Sequence, residues 1–369
     1  MRLLQKECGK CLRHPFLWIV CITFGLFQFL SIYTYVGNAG MRKELRQMHV
    51  AVTDEETASP EYESAYADYK KTYGGMYDTL DMRKILEQKE KKSGYEPQGV
   101  WGSWIVRNYD RLQKRVEQIR KTGEGTYAFY PGNWYKLHTT LYGKLWKKLI
   151  LQTAVLMILS MLYLMDYERI YKTQDLVLAT TTGKKMMEKK MLAGTLCGLF
   201  YAGLLTVFTL LVFFAAVPFQ NLWHVPVAAC MVAEPRLQMM YPFVTFWRLE
   251  QWRYLLLALV VLVGLLGIIA VVTAAVQLFL QNSYFSFAVL GLLFMGAYLL
   301  AYVQMGNVWD LIREFFNPTV LYATSGGWFM ENDLCLSFAG NEFAVLFCSG
   351  TAAVCLMAVG KRRYHRLEV

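Results

Sequence analysis

Six long runs without a charged residue constrain this chain more than any other feature: residues 16–36, 149–165, 192–219, 254–280, 285–303 and 343–360. The first holds 21 residues. At about 1.5 Å per residue, a helix of that length crosses the roughly 30 Å hydrocarbon core of a bilayer. Charged residues make up only 18% of the 369-residue chain, against about 25% in a soluble domain. The apolar excess is gathered into these runs. The expected fold is therefore an all-α integral membrane protein with six transmembrane helices. Arg2, Lys6, Lys10 and Arg13 precede the first run. That run exceeds the 7–15 residues of a signal-peptide core, so it reads as an uncleaved anchor. The net charge of +10 fits an anionic lipid surface and exposed basic residues, without nucleic acid.

Residues 37–147 are polar and rich in Tyr and Lys. They read as an insertion of three helices, at 61–72, 77–92 and 100–121, separated by glycine-containing breaks. In the third, Trp101, Trp104, Ile105, Leu112, Val116 and Ile119 fall at mostly 3, 4 and 7 spacings and form one apolar face. None of the eight cysteines lies in the insertion, so it is no disulfide scaffold. Cys8 and Cys11 form a CxxC pair with no second pair nearby. A structural zinc needs four ligands, so they read as ordinary thiols. His49 and His138 belong to no nucleophile or metal motif.

Lysine and arginine set the expected orientation. Four occur before the first run, six in 166–191 and four in the tail 361–369. The segment 304–342 has Arg313 alone, and 220–253 has Arg236, Arg248 and Arg253. Both termini and the 166–191 stretch are thus expected in the cytoplasm of a multi-pass cell-membrane protein, with the insertion outside. Long segments translocate largely regardless of charge.

No Asp, Glu, Lys, Arg or His lies within the six runs. Coupled secondary transporters usually keep such groups at membrane depth, so their absence speaks against one. The polar residues there are mild. Gln28, Gln152, Thr153, Thr206, Thr273 and Gln277 are candidates to line a pathway, with hydrogen bonding between helices as the alternative. No HExxH is present. None of the four Gly-Lys pairs has a glycine five residues before its own glycine, so the chain has no Walker A loop. Any ATP and Mg would be held by another chain, and the protein is expected to be no enzyme by itself, with no cofactor of its own.

The stretch 166–191 is too polar for lipid and too long for a turn. It holds Glu168, Thr180, Thr181, Thr182, Gly183, Lys184, Lys185, Glu188, Lys189 and Lys190. A helix is expected to start after Thr182 or Gly183. Lys184 and Lys185 in its first turn oppose the helix dipole, which Glu188 offsets in part by pairing at i−4 or i−3. Two readings fit: a basic anchor for the third span, or a short helix that docks a partner.

Glu168 after the second span, the ATTTG cluster a dozen residues on, and the lysines that open the third span resemble the ABC-2 type permeases of ABC transporters. The resemblance covers the six-span layout and is most specific from Glu168 to Gly194. It implies a coupling segment, Glu168 with Thr180 to Lys190, docked on a cytoplasmic ATP-binding subunit. It also implies a second permease subunit and an enlarged extracellular segment like that of some bacterial members. Lys184 stands where the family often has Arg, which keeps the charge but loses the bidentate fork. The resemblance implies ATP-driven transport, with export expected. A non-transporting scaffold or sensor, whose outer module binds an extracellular partner, is the alternative.

Overall fold

The computed structural model describes residues 2–37, 75–93, 99–125, 137–173, 183–217, 223–231, 242–303, 308–331 and 338–367, with 64, 67, 71 and 219 as isolated positions. The helices are α1 (Arg2–Leu12), α2 (Pro15–Val36), α3 (Met82–Ser93), α4 (Gly99–Thr122), α5 (Trp146–Met165), α6 (Tyr167–Ile170), α7 (Gly183–Ala216), α8 (Val227–Met231), α9 (Gln251–Leu280), α10 (Ser283–Tyr302), α11 (Val308–Phe316), α12 (Thr319–Ala323) and α13 (Asn341–Leu367). There is no β-strand among the described residues, only two isolated bridges. Six helices, α2, α5 with the turn before it, α7, α9, α10 and α13, are long and apolar enough to cross a membrane. The chain is an all-α integral membrane protein.

The helix ends depart from the charge-free runs, each for a local reason. No breaker separates Gly183 from Leu192, so α7 begins in the polar stretch and runs unbroken into the third span. Likewise α13 continues through most of the basic tail, to Leu367. Between α9 and α10 the chain reverses at Gln281, whose left-handed backbone (φ 49) closes α9 with an N–H bond to the Gln277 carbonyl at 2.8 Å. Asn282 then caps α10 by accepting from the backbone N–H groups of Tyr284 and Phe285 at 3.1 and 3.2 Å.

Helix α5 is the axis of the bundle: 67% of that span is buried inside the protein, against 17% for α10. It packs most extensively on α7, at a seam that a GxxxG spacing creates. Gly194 and Gly198 lie on one face of α7, against Met161 and Met157. A Cβ built on either glycine would stand 3.1 Å from the Cα of the facing methionine. Lipid gives apolar surfaces no reason to associate, so close backbone approach and dispersion hold such seams. At the head of α5 a π-helical turn, Thr139–Leu145, brings Gly143 against Gly326.

The ends of the bundle have distinct company. One carries α1, the α5–α6 corner, the start of α7, the α9–α10 turn and the end of α13. There the Ser283 hydroxyl donates to the Leu162 carbonyl at 3.2 Å, and Lys361 pairs with Glu188 at 3.1 Å. The opposite end carries the insertion. Its α3 and α4 pack through Met82, Ile85, Ile105, Leu112, Val116 and Ile119, and this core continues into Ala228 of α8 and Val244 of the loop before α9. Of the anticipated apolar face, Ile105, Leu112, Val116 and Ile119 are buried and Trp104 half-buried. The Trp101 side chain lies outside the described residues. The helix expected from 77 starts at Met82, because the Asp81 carboxylate accepts from the N–H groups of Arg83 and Lys84 and caps it there. Tyr77 instead enters the loop core. Of the helix expected at 61–72, residues 64, 67 and 71 are helical and the rest lies outside the described residues.

Candidate functional site

The polar stretch between α5 and α7 meets the amino-terminal helix in a cluster of charges. Helix α1 lies along α7 and α5 with Glu7 and Cys11 buried and Leu4 and Cys8 half-buried. Its register puts Lys10 within 2.6 Å of Glu7 and 3.3 Å of the Glu168 carboxylate. Lys190, two turns into α7, pairs with the other oxygen of Glu168. The side chains of Glu168 and Lys190 are only 8% and 7% exposed. One carboxylate thus joins three pieces of chain: α1, the short α6 beyond the α5 corner, and the start of α7. Lys10 also lies 4.4 Å over the Tyr167 ring. After α6 the chain turns through Lys172 in the left-handed region (φ 55), and the Thr173 N–H donates to the Glu168 carbonyl at 2.7 Å.

The residues expected to dock a partner separate into two sets. Glu168 and Lys190 face inward and bind each other. Glu188 and Lys189 are exposed. Gly183, Lys184 and Lys185 open α7, where a helix start was expected; the Lys184 and Lys185 side chains lie outside the described residues, as do Thr180, Thr181 and Thr182. The Cys8–Cys11 pair contributes to the same packing. The Cys197 thiol of α7 donates to the Cys8 carbonyl at 3.8 Å. Burial, and then the neighbouring Cys197, push the Cys8 thiol up to about 11, which disfavours its thiolate form.

The candidate pathway residues are spread through the bundle. Gln28 donates to Gln152 at 2.8 Å, which ties α2 to α5. Thr153 and Thr206 return their hydroxyls to carbonyls one turn back, at 2.7 Å each. Thr273 and Gln277 share a face of α9; both are buried, and the Thr273 hydroxyl and Gln277 Oε1 have no hydrogen-bond partner among the described residues. Gln28 Oε1 is likewise buried without a partner among the described residues, so these three positions could bond a polar guest.

Sequence comparison supplies no identity. Neither known protein families, nor characterised proteins, nor solved structures give a match to the chain. Among the described residues, no three of His, Cys, Asp and Glu converge in a way that could hold a metal ion.

At the opposite end the insertion is held by buried polar contacts. Arg115 makes a two-pronged pair with Glu124 at 2.9 and 2.7 Å and donates to the Thr245 carbonyl at 3.2 Å. Lys89 pairs with the fully buried Glu331. The Tyr77 hydroxyl lies 3.2 and 3.0 Å from the carbonyls of Ala228 and Phe243. Burial raises the Tyr77 phenol far above its ordinary range, with Arg115 a partial offset. Beneath this cap, His138 is enclosed by the rings of Tyr142 and Tyr254 at 4.6 and 4.8 Å. Burial holds its pKa down to about 3, against a smaller opposing effect of Gln251 at 3.4 Å. It is a neutral packing histidine. Sequence reasoning missed Glu7 and Lys10 as members of the charge cluster. Their three-residue spacing, which suits a helix, was the available signal.

Proposed function

We propose that the chain is the membrane-spanning permease subunit of an ABC exporter of the ABC-2 kind. It would pair with a second permease subunit and dock two ATP-binding subunits on the face that carries both termini, the cytoplasmic face of the cell membrane. ATP and Mg belong to those subunits. The observation that carries this reading is the buried Glu168 cluster, which ties α6 and the start of α7, both in the polar segment between the second and third spans, to α1. The absence of a Walker A loop requires an outside engine if ATP is used.

The division of roles follows from burial. Glu188 and Lys189, exposed on the first turns of α7, would touch the ATPase. Glu168 and Lys190 would transmit. Because α7 continues unbroken into the span, a push on its first turns displaces the whole helix. The Glu168 pairs carry α1 and the α5 corner with it, and the GxxxG seam keeps α5 and α7 together in the membrane. Charge reversal at Glu188→Lys with Lys189→Glu should weaken retention of the ATPase while the fold stays intact. Glu168→Gln with Lys190→Met should retain the ATPase but reduce the stimulation of its turnover by the permease. If both pairs leave retention and stimulation unchanged, the assigned coupling role is wrong.

A scaffold or sensor is the second reading, favoured by the way the insertion is anchored on the loops before α9 and before α13. Excision of residues 40–135 separates the two. A sensor loses all function, whereas a permease keeps its ATPase.

A further inference from the structure

A cavity of about 680 Å³ opens beside the charge cluster, between α1 and the end of the second span. One wall is a face of α1: Lys6, Lys10 and Arg13, with Gly9 between them. The other is the series Tyr163, Tyr167 and Tyr171, one helical turn apart across the α5–α6 corner. Their rings stand 5.7 and 4.5 Å from one another. His14 closes the end of the cavity, its ring 4.1 Å from Tyr163. We propose that this cavity binds the phosphate of an anionic phospholipid headgroup.

Charge, depth and shape support the assignment. Among the described residues no carboxylate lines the cavity. Lys10 is engaged with Glu7 and Glu168, but Lys6 and Arg13 are exposed and have no ion-pair partner among the described residues. Two cations thus face a basic cavity without a counter-charge, and a phosphate accepts charge-assisted bonds from both ammonium and guanidinium. Depth points to lipid as its source. Pro15 lines the cavity, and Phe16, Ile19 and Ile22, which follow directly on α2, are exposed and apolar. Met165, where α5 ends, lies between Tyr163 and Tyr167. The cavity therefore sits where hydrocarbon gives way to headgroups, and tyrosines with basic residues belong at that level. A volume near 700 Å³ is that of a typical small-molecule site and exceeds what a bare phosphate fills. A headgroup there would hold α1 against the α5–α6 corner, whether or not the chain transports anything.

The test uses the full-length protein in neutral detergent, titrated with short-chain phosphatidylglycerol or phosphatidylcholine and followed by native mass spectrometry. The wild type should retain phosphatidylglycerol over phosphatidylcholine. Lys6→Gln with Arg13→Gln should lower phosphatidylglycerol affinity about 30-fold. Removal of two charges elsewhere, by Lys114→Gln with Lys121→Gln on α4, should leave it unchanged. Three results would overturn the proposal. The first is equal phosphatidylglycerol binding by the cavity variant and the wild type, or an equal loss in the α4 variant. The second is displacement of the lipid by millimolar inorganic phosphate, which would make the ligand a soluble anion. The third is loss of a copurifying acidic protein from the cavity variant with lipid binding intact.

Discussion

Lys190→Met tests whether Glu168 is a buried transmitter or a surface contact. The substitution keeps the bulk of the side chain and removes one cation from a carboxylate that is 8% exposed. Breaking a buried pair by deleting one partner costs about 3–5 kcal/mol, because the other charge is left behind. Lys10 remains 3.3 Å away and is 25% exposed, so part of the compensation survives. The expected loss is therefore at the low end, about 3 kcal/mol. Glu168→Gln should cost less, about 1–2 kcal/mol, since Lys190 near the start of α7 can extend its ammonium towards the interface. The double variant removes both charges and should lie within about 1 kcal/mol of the wild type, because replacing a buried pair outright is often neutral. SDS-driven unfolding in mixed micelles, followed by tryptophan fluorescence, gives the three values. Together they form a double-mutant cycle with a coupling of at least about 3 kcal/mol. If the single effects simply add, the two side chains do not share a buried pair and the reasoning fails.

Other parts of the structure give independent expectations. Gly198→Val forces a side chain into the Met157 backbone and should destabilise by about 1–3 kcal/mol, whereas Gly203→Val, with nothing within 4 Å of its Cβ position, should not; unfolding in micelles compares them. Tyr77→Phe removes the single hydroxyl donor that the Ala228 and Phe243 carbonyls share, at a cost of about 1–3 kcal/mol, and should speed amide exchange in 75–93 and 99–125 above the rate in α9. His138 gives a pH signature. Its pKa is depressed to about 3 in the folded protein and stands near 6.5 when unfolded. The stabilisation is present above about pH 6.5 and is lost as pH falls towards 3, by about 2 kcal/mol between pH 8 and pH 5. His138→Gln should flatten that slope in melting curves; an unchanged slope would assign the acid sensitivity to other groups. Arg115→Met should loosen the insertion by about 3–5 kcal/mol, and a second change, Glu124→Leu, should restore most of it. Trypsin cutting in α4 reports both.

The spans were legible because a charge-free run of twenty residues has few other fates, and the polar 166–191 stretch stood out against them. The start of α7 was also readable, since Gly183 precedes an uninterrupted helix former. Other features were hidden by distance or by mixed polarity. Residues 4, 7, 8 and 11 form the buried stripe of α1, but Glu7 within it disguises an amphipathic face. Glu168 could be singled out, yet its burial depends on Lys10, 158 residues away. The GxxxG of α7 was present in the text of the chain; only the facing Met157 and Met161 give it meaning. Docking of the insertion rests on Tyr77, Arg115 and Lys89 meeting loop residues more than 100 positions off, which no local pattern encodes. Of the candidate pathway residues, Gln28 and Gln152 turned out to bond each other, which pairing across helices explains and spacing along one helix does not.

The central claim is that this chain receives its energy from an ATP-binding partner through the face bearing α1 and the start of α7. Affinity capture of the full-length protein from its native membrane, with mass spectrometry of what is retained, tests that claim most directly. The expected result is a soluble subunit with a Walker A loop, lost on charge reversal at Glu188 and Lys189 and retained when Glu168 and Lys190 are neutralised together. A folded chain that retains no such subunit would contradict it.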